Sequence, residues 1–246
     1  MLRKIKRLFK KNFFHHTELF KTYDAVENFL KRNEQKEYND KRVYQKLLLP
    51  KDSEAYERFA AAAIIIPLLK KKKIKVLDVG GGNDPIFNPI KKGTNIKIHC
   101  TVLESKFFLD SIKWQINKDL RKYLKYISDL SQLKHNVDIV YFNSSIQYFK
   151  NYEDVVLKCI KFKPNFFFIT RTFFHDRKKN VFSVSHTIPN NAHPVTLFST
   201  QELVQFFKKN KYRLIFQNEY NRNIFSHNKL DKKTLFMKDL VFEKLK

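Results

Sequence analysis

The sequence predicts an α/β protein: a mainly parallel sheet with helices on both faces, an antiparallel last strand, and a helical extension ahead of the first strand. Three observations carry this expectation. The run Lys75-Val76-Leu77-Asp78-Val79 passes into Gly80-Gly81-Gly82 and then a helix-start signal, Asn83-Asp84-Pro85. Further short apolar runs follow and alternate with stretches of helical period, as repeated βα units do. The last two apolar runs, 212–217 and 235–242, are joined by a polar loop with no helix between them, so they pair antiparallel.

The glycine turn is the most informative stretch. Three of the chain's four glycines sit there, which concentrates the capacity for positive φ and close backbone approach at one point. A strand, a glycine turn and a helix N-terminus form the first unit of a Rossmann-like nucleotide- or cofactor-binding sheet. Asp84 stands where a dinucleotide-binding turn carries its third glycine, and with Pro85 it reads as an N-cap. A diphosphate at that helix end would meet a like charge. S-adenosylmethionine has no phosphate, and Asp78 or Asp84 suits its ammonium group. Glu104 ends the next apolar run, 98–103, where an acid commonly binds ribose hydroxyls.

The other elements follow in order. Residues 22–50 read as one or two polar helices, and a helix from Ser53 runs towards Leu69 ahead of the first strand. A helix is expected over 105–117 and a short third strand over 122–128, after which Asp129 could accept an adenine amino group. Residues 137–142 form a fourth strand followed by Asn143-Ser144-Ser145-Ile146-Gln147-Tyr148, side chains that should face the reacting centre because ligands bind beyond the C-terminal ends of parallel strands. A helix over 153–163 leads to a fifth strand at 165–170. Residues 171–199 then lose periodicity and read as a long functional loop that holds Arg171, Thr172, His175, Asp176, Arg177, His186 and His193. A helix at 200–210 and the final two strands complete the chain.

Composition narrows the partners. At 246 residues the chain has room for one α/β domain with an extension: residues 1–50 as a basic amphipathic helical extension, and residues 51–246 as the domain proper. No apolar run approaches the ~18 residues of a membrane span. Cys100 and Cys159 lie far apart within apolar runs and read as buried free thiols in a reducing, cytoplasmic compartment. The histidine spacings match no compact metal motif, so no metal is expected. The net charge of +25 is spread along the whole chain and says little except where it clusters. The clearest cluster is residues 1–20, where Leu2, Ile5, Phe9 and Phe13 share one helical stripe flanked by Arg3, Lys4, Lys6, Arg7, Lys10 and Lys11. Such a helix suits the anionic inner face of a membrane or docking on the domain itself.

With these residues in view, the chain resembles the class I S-adenosylmethionine-dependent methyltransferases, whose sheet has seven strands. More narrowly, it is similar to a methyltransferase family of bacterial surface-polysaccharide (O-antigen and capsule) gene clusters. The resemblance runs from about Thr22 to the C-terminus. It is carried by Tyr23-Asp24-Ala25-Val26, by Val76 to Gly81, by Asn143 to Tyr148, by Arg171-Thr172-Phe173-Phe174, by Val184 to Pro189 and by His193-Pro194 to Phe198-Ser199. It implies S-adenosylmethionine as cofactor and places Gly80, Gly82 and Glu104 beside it. The cofactor set expected is Asp78, Gly80, Gly81, Gly82, Glu104, Asp129, Asn143 and Ser144. Gln147, Tyr148, Arg171, Thr172 and His193 are the candidate acceptor-binding residues.

The expected reaction is transfer of a methyl group to a sugar hydroxyl, on a free or glycolipid-linked saccharide. A base takes the hydroxyl proton: His175, oriented by Asp176, is the first candidate and His186 the second. Arg171 would hold an acidic sugar or a phosphate. An RNA methyltransferase is the competing reading, and a nucleic-acid acceptor is disfavoured because Asn143-Ser144-Ser145-Ile146 lacks the prolines of base N-methylating motifs. A non-catalytic scaffold at the membrane is the third.

Overall fold

The computed structural model describes residues 15–32, 62, 65–67, 69–82, 96–112, 123–188, 191–220 and 235–246. The strands are β1 His15–Phe20, β2 Lys73–Val79, β3 Lys97–Leu103, β4 Leu124–Ile127, β5 Ile139–Asn143, β6 Phe166–His175, β7 Val181–Ile188, β8 Asn191–Ser199, β9 Tyr212–Tyr220 and β10 Leu235–Lys244. The helices are α1 Tyr23–Arg32, α2 Lys106–Ile112, α3 Tyr152–Ile160 and α4 Thr200–Lys209.

Seven strands make the main sheet in the order β4-β3-β2-β5-β6-β10-β9. Neighbours from β4 to β6 are parallel, and β10 is antiparallel to both β6 and β9. The last strand in sequence is therefore antiparallel, as expected, but it inserts inside the sheet and leaves β9 at the edge. Residues Leu235 to Phe242 are buried on both faces, which explains their nearly unbroken apolar run. The Phe242 ring stacks on Phe207 of α4 at 4.0 Å and 12°.

Helices cover both faces. On one, Val156 and Cys159 of α3 and Leu203 and Phe207 of α4 pack on Leu77, Val79, Val140, Phe142, Phe167 and Ile169. On the other, Ala62, Ile65 and Ile66 lie against Val76, Cys100, Tyr141, Phe168 and Val241. Both cysteines are buried free thiols, and burial pushes the Cys159 thiol up to about 12. Among the described residues no helix is long and apolar enough to cross a membrane.

The structure corrects two expectations. Residues 171–199 are not a long irregular loop: β6 continues through His175, and β7 and β8 form an antiparallel hairpin from Val181↔Leu197 to Ile188↔Asn191. The hairpin joins β6 through the parallel pairs Phe174↔Phe198 and His175↔Ser199, on the flank that β5 occupies lower down. Pro194 sits in the stretch of β8 that pairs with β7 alone, where a missing N–H is tolerated. The second correction is at residues 15–20, the end of the expected basic helix, which form a strand pairing antiparallel with β7. An available sheet edge outweighs the helical period there. The remainder of that cluster, residues 1–14, lies outside the described residues, as do Asp84 and Pro85 and most of the helices expected over 33–61.

Helix α1 lies on the hairpin. Val26 and Leu30 pack against Val184 and Ala192, and the Tyr23 ring stands edge-on to Phe182 at 5.9 Å. Lys150 pairs with Asp24 at 2.7 Å and Glu27 at 2.9 Å. Helix α1 of the expected extension thus packs on the β7–β8 hairpin.

Candidate functional site

The C-terminal ends of β2, β3 and β5 converge on the glycine turn. Gly80 donates its N–H to Leu103 O at 2.9 Å, so the β2–β3 ladder continues into the turn. Gly80 and Gly82 have φ of +73° and +57°. A Cβ on Gly80 would lie 2.7 Å from Ser145 Cβ, and one on Gly81 would lie 2.6 Å from Asp78 Cγ. Asp78 is thus buried directly beneath Gly81. A Cβ on Gly82 would meet nothing within 4 Å, so that position borders open space.

Glu104 closes the turn. Its Oε1 accepts from Gly82 N–H at 2.9 Å, and its Oε2 accepts from Ser105 N–H at 3.1 Å. Burial raises its pKa, and the two N–H groups oppose that rise. Tyr126 donates its hydroxyl to Gly82 O at 3.2 Å. The turn after β2 is therefore held by β3 and β4 together, with a carboxylate at its centre.

The loop after β5 forms the other wall. Ser145 Oγ donates to Val79 O at 2.5 Å, tying it to β2. Ser144 takes φ +56° and donates its N–H to Thr170 O at 2.9 Å. Asn143 Oδ1 lies 3.3 Å from Thr170 Oγ1. Next to this bend, β6 bends too: Arg171 has φ +50°, and its N–H donates to Asp239 Oδ1 at 2.8 Å. Asp239 lies at the register shift in β10 between Lys238 and Leu240. Adjacent strands therefore carry left-handed, non-glycine residues at one level, local strain of order 1–3 kcal/mol each that concentrates at functional sites.

The sequence-predicted residues divide into those that this arrangement brings together and those that it does not. Asp78, Gly80, Gly81, Gly82, Glu104, Asn143 and Ser144 converge. Gln147 follows within the same loop, with Nε2 donating to Ser144 Oγ at 3.1 Å. Tyr148 is next, its ring edge-on to His193 at 6.1 Å and 87°. Burial raises the Tyr148 pKa, and hydrogen bonds from the Gln147 and Ser185 side chains, then the charge of Arg171, act to lower it. Asp129 is exposed, and its Oδ1 caps the next turn by accepting from Ser131 N–H at 2.7 Å; hydrogen bonds from the Ser131 side chain and then its N–H lower the Asp129 pKa. Thr172 is buried in β6, with its hydroxyl donating to Thr170 O at 3.2 Å.

The first base candidate is not brought to the turn. His175 ends β6 five residues beyond Thr170, about 16 Å of extended strand from the level of Asn143. It is 4% exposed, and its Nδ1 accepts from Arg177 N–H at 2.9 Å, the atom an orienting Asp176 would have needed. Asp176 itself is exposed. Burial lowers the His175 pKa. The side chain of His186 lies outside the described residues. Sequence reasoning missed Ser185, which the hairpin turns inward opposite His193, and Asp239, which fixes the bend at Arg171. The alternation Val181, Ser183, Ser185 against Phe182, Val184 was the available signal for the hairpin.

No family model matches the chain, and no curated protein does either. Among solved structures the chain is similar to a Burkholderia thailandensis 1,6-didemethyltoxoflavin N1-methyltransferase with bound 1,6-didemethyltoxoflavin and S-adenosylhomocysteine. The identity is 15%, the TM-score 0.55, and the match covers 91% of this chain and 89% of that one. The fold is that of a class I methyltransferase. A magnesium protoporphyrin IX methyltransferase from Synechocystis PCC 6803 with bound S-adenosylmethionine shares this fold at TM-score 0.53 and 9% identity, over 77% of this chain and 78% of that one. The cyclase SpnF shares it at TM-score 0.51 and 11% identity, over 76% and 82%. The methyltransferase fold thus also carries other chemistry, and the site has to argue the activity.

Proposed function

We propose that this chain is an S-adenosylmethionine-dependent methyltransferase that methylates a sugar hydroxyl in surface-polysaccharide biosynthesis. The observation that supports it best is the Glu104 carboxylate bonded to Gly82 N–H at the mouth of an open glycine turn. Each carboxylate oxygen keeps lone-pair capacity for a ribose hydroxyl. Asp78 beneath Gly81 gives the turn a negative potential suited to an ammonium group and unsuited to a diphosphate. When bound, S-adenosylmethionine supplies a methyl group made electrophilic by its sulfonium.

The chain's own residues orient and deprotonate. Gly80 and Gly82 leave room at the turn, Asn143 and Ser144 line the opposite wall, and the remaining oxygen of Asp129 accepts an adenine amino group. Gln147, Tyr148, Arg171 and His193 receive the acceptor. The fixed walls on β2, β3 and β5 hold the reacting atoms in line, an orientation worth several kcal/mol. His193, beside Tyr148, takes the hydroxyl proton in place of His175, with His186 as the alternative. The protein works in the cytoplasm, and residues 1–14 hold it at the anionic inner face of the membrane.

The test is transfer of labelled methyl from S-adenosylmethionine into nucleotide sugars, lipid-linked saccharides and total RNA, with anionic vesicles present. Label should enter a saccharide fraction, and removing residues 1–14 should release the protein from the vesicles. Label confined to RNA would replace the sugar reading, and no transfer to any fraction would leave a scaffold.

A further inference from the structure

The end of the main sheet opposite the glycine turn gathers exposed lysines. Backbone hydrogen bonds run along that rim from strand to strand. Lys97 N–H donates to Lys72 O at 3.0 Å, Asp138 N–H to Lys75 O at 2.8 Å and Val137 N–H to Phe162 O at 3.1 Å. Lys244 N–H donates to Asn165 O and Leu245 N–H to Lys211 O, both at 2.8 Å. These bonds hold Lys73, Lys97, Lys163, Lys211 and Lys244 at one end of β3, β2, β5, β6, β10 and β9, a front of about 24 Å at ordinary strand spacing. All five are exposed, as is Lys70. Asp138 and Glu243, the carboxylates described at this end, already pair with Lys71 and Arg213. Asp129, Glu153, Asp176 and Glu202 lie at the opposite end, after β4 and β6 and at the starts of α3 and α4.

Three of the lysines sit where a side chain is disfavoured. Lys70, Lys163 and Lys211 have φ of +51°, +53° and +65°. Each closes the turn between a helix and the next strand, donating its N–H to Pro67 O, Ile160 O and Lys208 O respectively. Glycine or asparagine is the usual residue at such a position. A cation there also faces the negative end of a helix dipole, but Lys158 in the last turn of α3 and Lys208 and Lys209 in that of α4 already meet that need. The left-handed lysines therefore add charge to the rim more than stability to the helices.

We infer that this lysine rim is a docking surface for an anionic lipid bilayer. Lysine acts as a point charge and suits a fluid layer of headgroups, whereas RNA binding draws on arginine forks and aromatic stacking. Arg213, at this end, is bonded through Nε and Nη2 to Glu243. No aromatic side chain among the described residues is exposed, while Leu245 is 43% exposed between Lys244 and Lys246, an apolar group that a headgroup layer can take. The contact adds to the one proposed for residues 1–14, since stable anchoring ordinarily takes two signals, and it is independent of the cofactor reading.

Co-sedimentation of the full chain with vesicles tests it. The vesicles are phosphatidylcholine with about 30% phosphatidylglycerol at about 0.15 M salt, with phosphatidylcholine alone as the control. Lys70→Gly, Lys163→Gly and Lys211→Gly combined should weaken anionic-vesicle binding at least about tenfold, from about fivefold per lysine near the surface. Their Tm should equal or exceed that of the wild type, because glycine relieves the left-handed strain. Lys73→Gln with Lys97→Gln, outside the turns, should also weaken binding about tenfold. Lys106→Gln, Lys178→Gln and Lys179→Gln combined remove the same charge as the glycine variant at the other end of the sheet, and should change binding less than about twofold. Equal losses from the two triple variants would overturn the rim, because net charge alone would then explain them. Unchanged binding in the Lys73 and Lys97 variant, or no binding of the wild type to anionic vesicles, would overturn it as well. Single-stranded RNA bound more tightly than the vesicles, and lost in the same rim variants, would assign the rim to nucleic acid instead.

Discussion

Gly80 and Gly82 share a left-handed φ but differ in what surrounds them. Alanine at Gly80 adds a 2.7 Å clash with Ser145 Cβ to the conformational strain, whereas alanine at Gly82 brings the strain alone. Gly80→Ala should therefore cost about 3 kcal/mol and Gly82→Ala about 1–2 kcal/mol, read from urea unfolding. Equal losses would contradict the close approach of the two loops. His175 gives a pH signature. Burial depresses its folded pKa below the ordinary 6.5, so the unfolded chain binds the proton first. Stability should fall as pH drops through about 6.5 towards the lower folded value, and His175→Asn should flatten that limb while leaving cofactor affinity intact. A variant that kept its full stability and lost turnover would return His175 to the mechanism. The glycines and Glu104 were legible in the sequence because a turn is written in adjacent residues. His175 was not, because a histidine among polar neighbours reads as free until its strand is known.

At the scale of elements, β2 to β6 lay close to their expected places, since strands buried on both faces leave continuous apolar runs. The hairpin did not. Asn191 and Pro194 are loop signals that the pairing of β8 with β7 overrides, and the two edges that hold the hairpin, β6 and β1, are separate stretches of the sequence. β1 escaped for the same reason: nothing local in His15–Phe20 announces an edge waiting in β7. α1 was legible as a helix, but its seat on the hairpin was not. Leu30 is 6% exposed in that contact, so Leu30→Ala should cost about 2 kcal/mol or more. Hydrogen exchange should then speed up in α1, β7 and β8 and stay unchanged in β2, β3 and β5. Uniform acceleration would mean that α1 and the hairpin are one cooperative unit with the main sheet.

At the scale of the molecule, the strand order β4-β3-β2-β5-β6-β10-β9 turns the sequence's alternation and its antiparallel finish into a single open sheet with one functional end. β7 and β8 extend β6 beyond that end, and α1 covers them. The glycine turn, Glu104 and the loop after β5 meet where the strand order reverses between β2 and β5, the point at which open parallel sheets form a ligand crevice. The diffuse charge of +25 explains none of this, which is why it was the least useful number in the sequence. The central claim is that the crevice holds S-adenosylmethionine, and calorimetric titration with S-adenosylmethionine and S-adenosylhomocysteine, with NAD as control, tests it most directly. The account predicts micromolar binding of both sulfur compounds, at least tenfold weaker in Glu104→Ala, and none of NAD. Binding of NAD alone, or of neither sulfur compound by a folded wild-type protein, would contradict it.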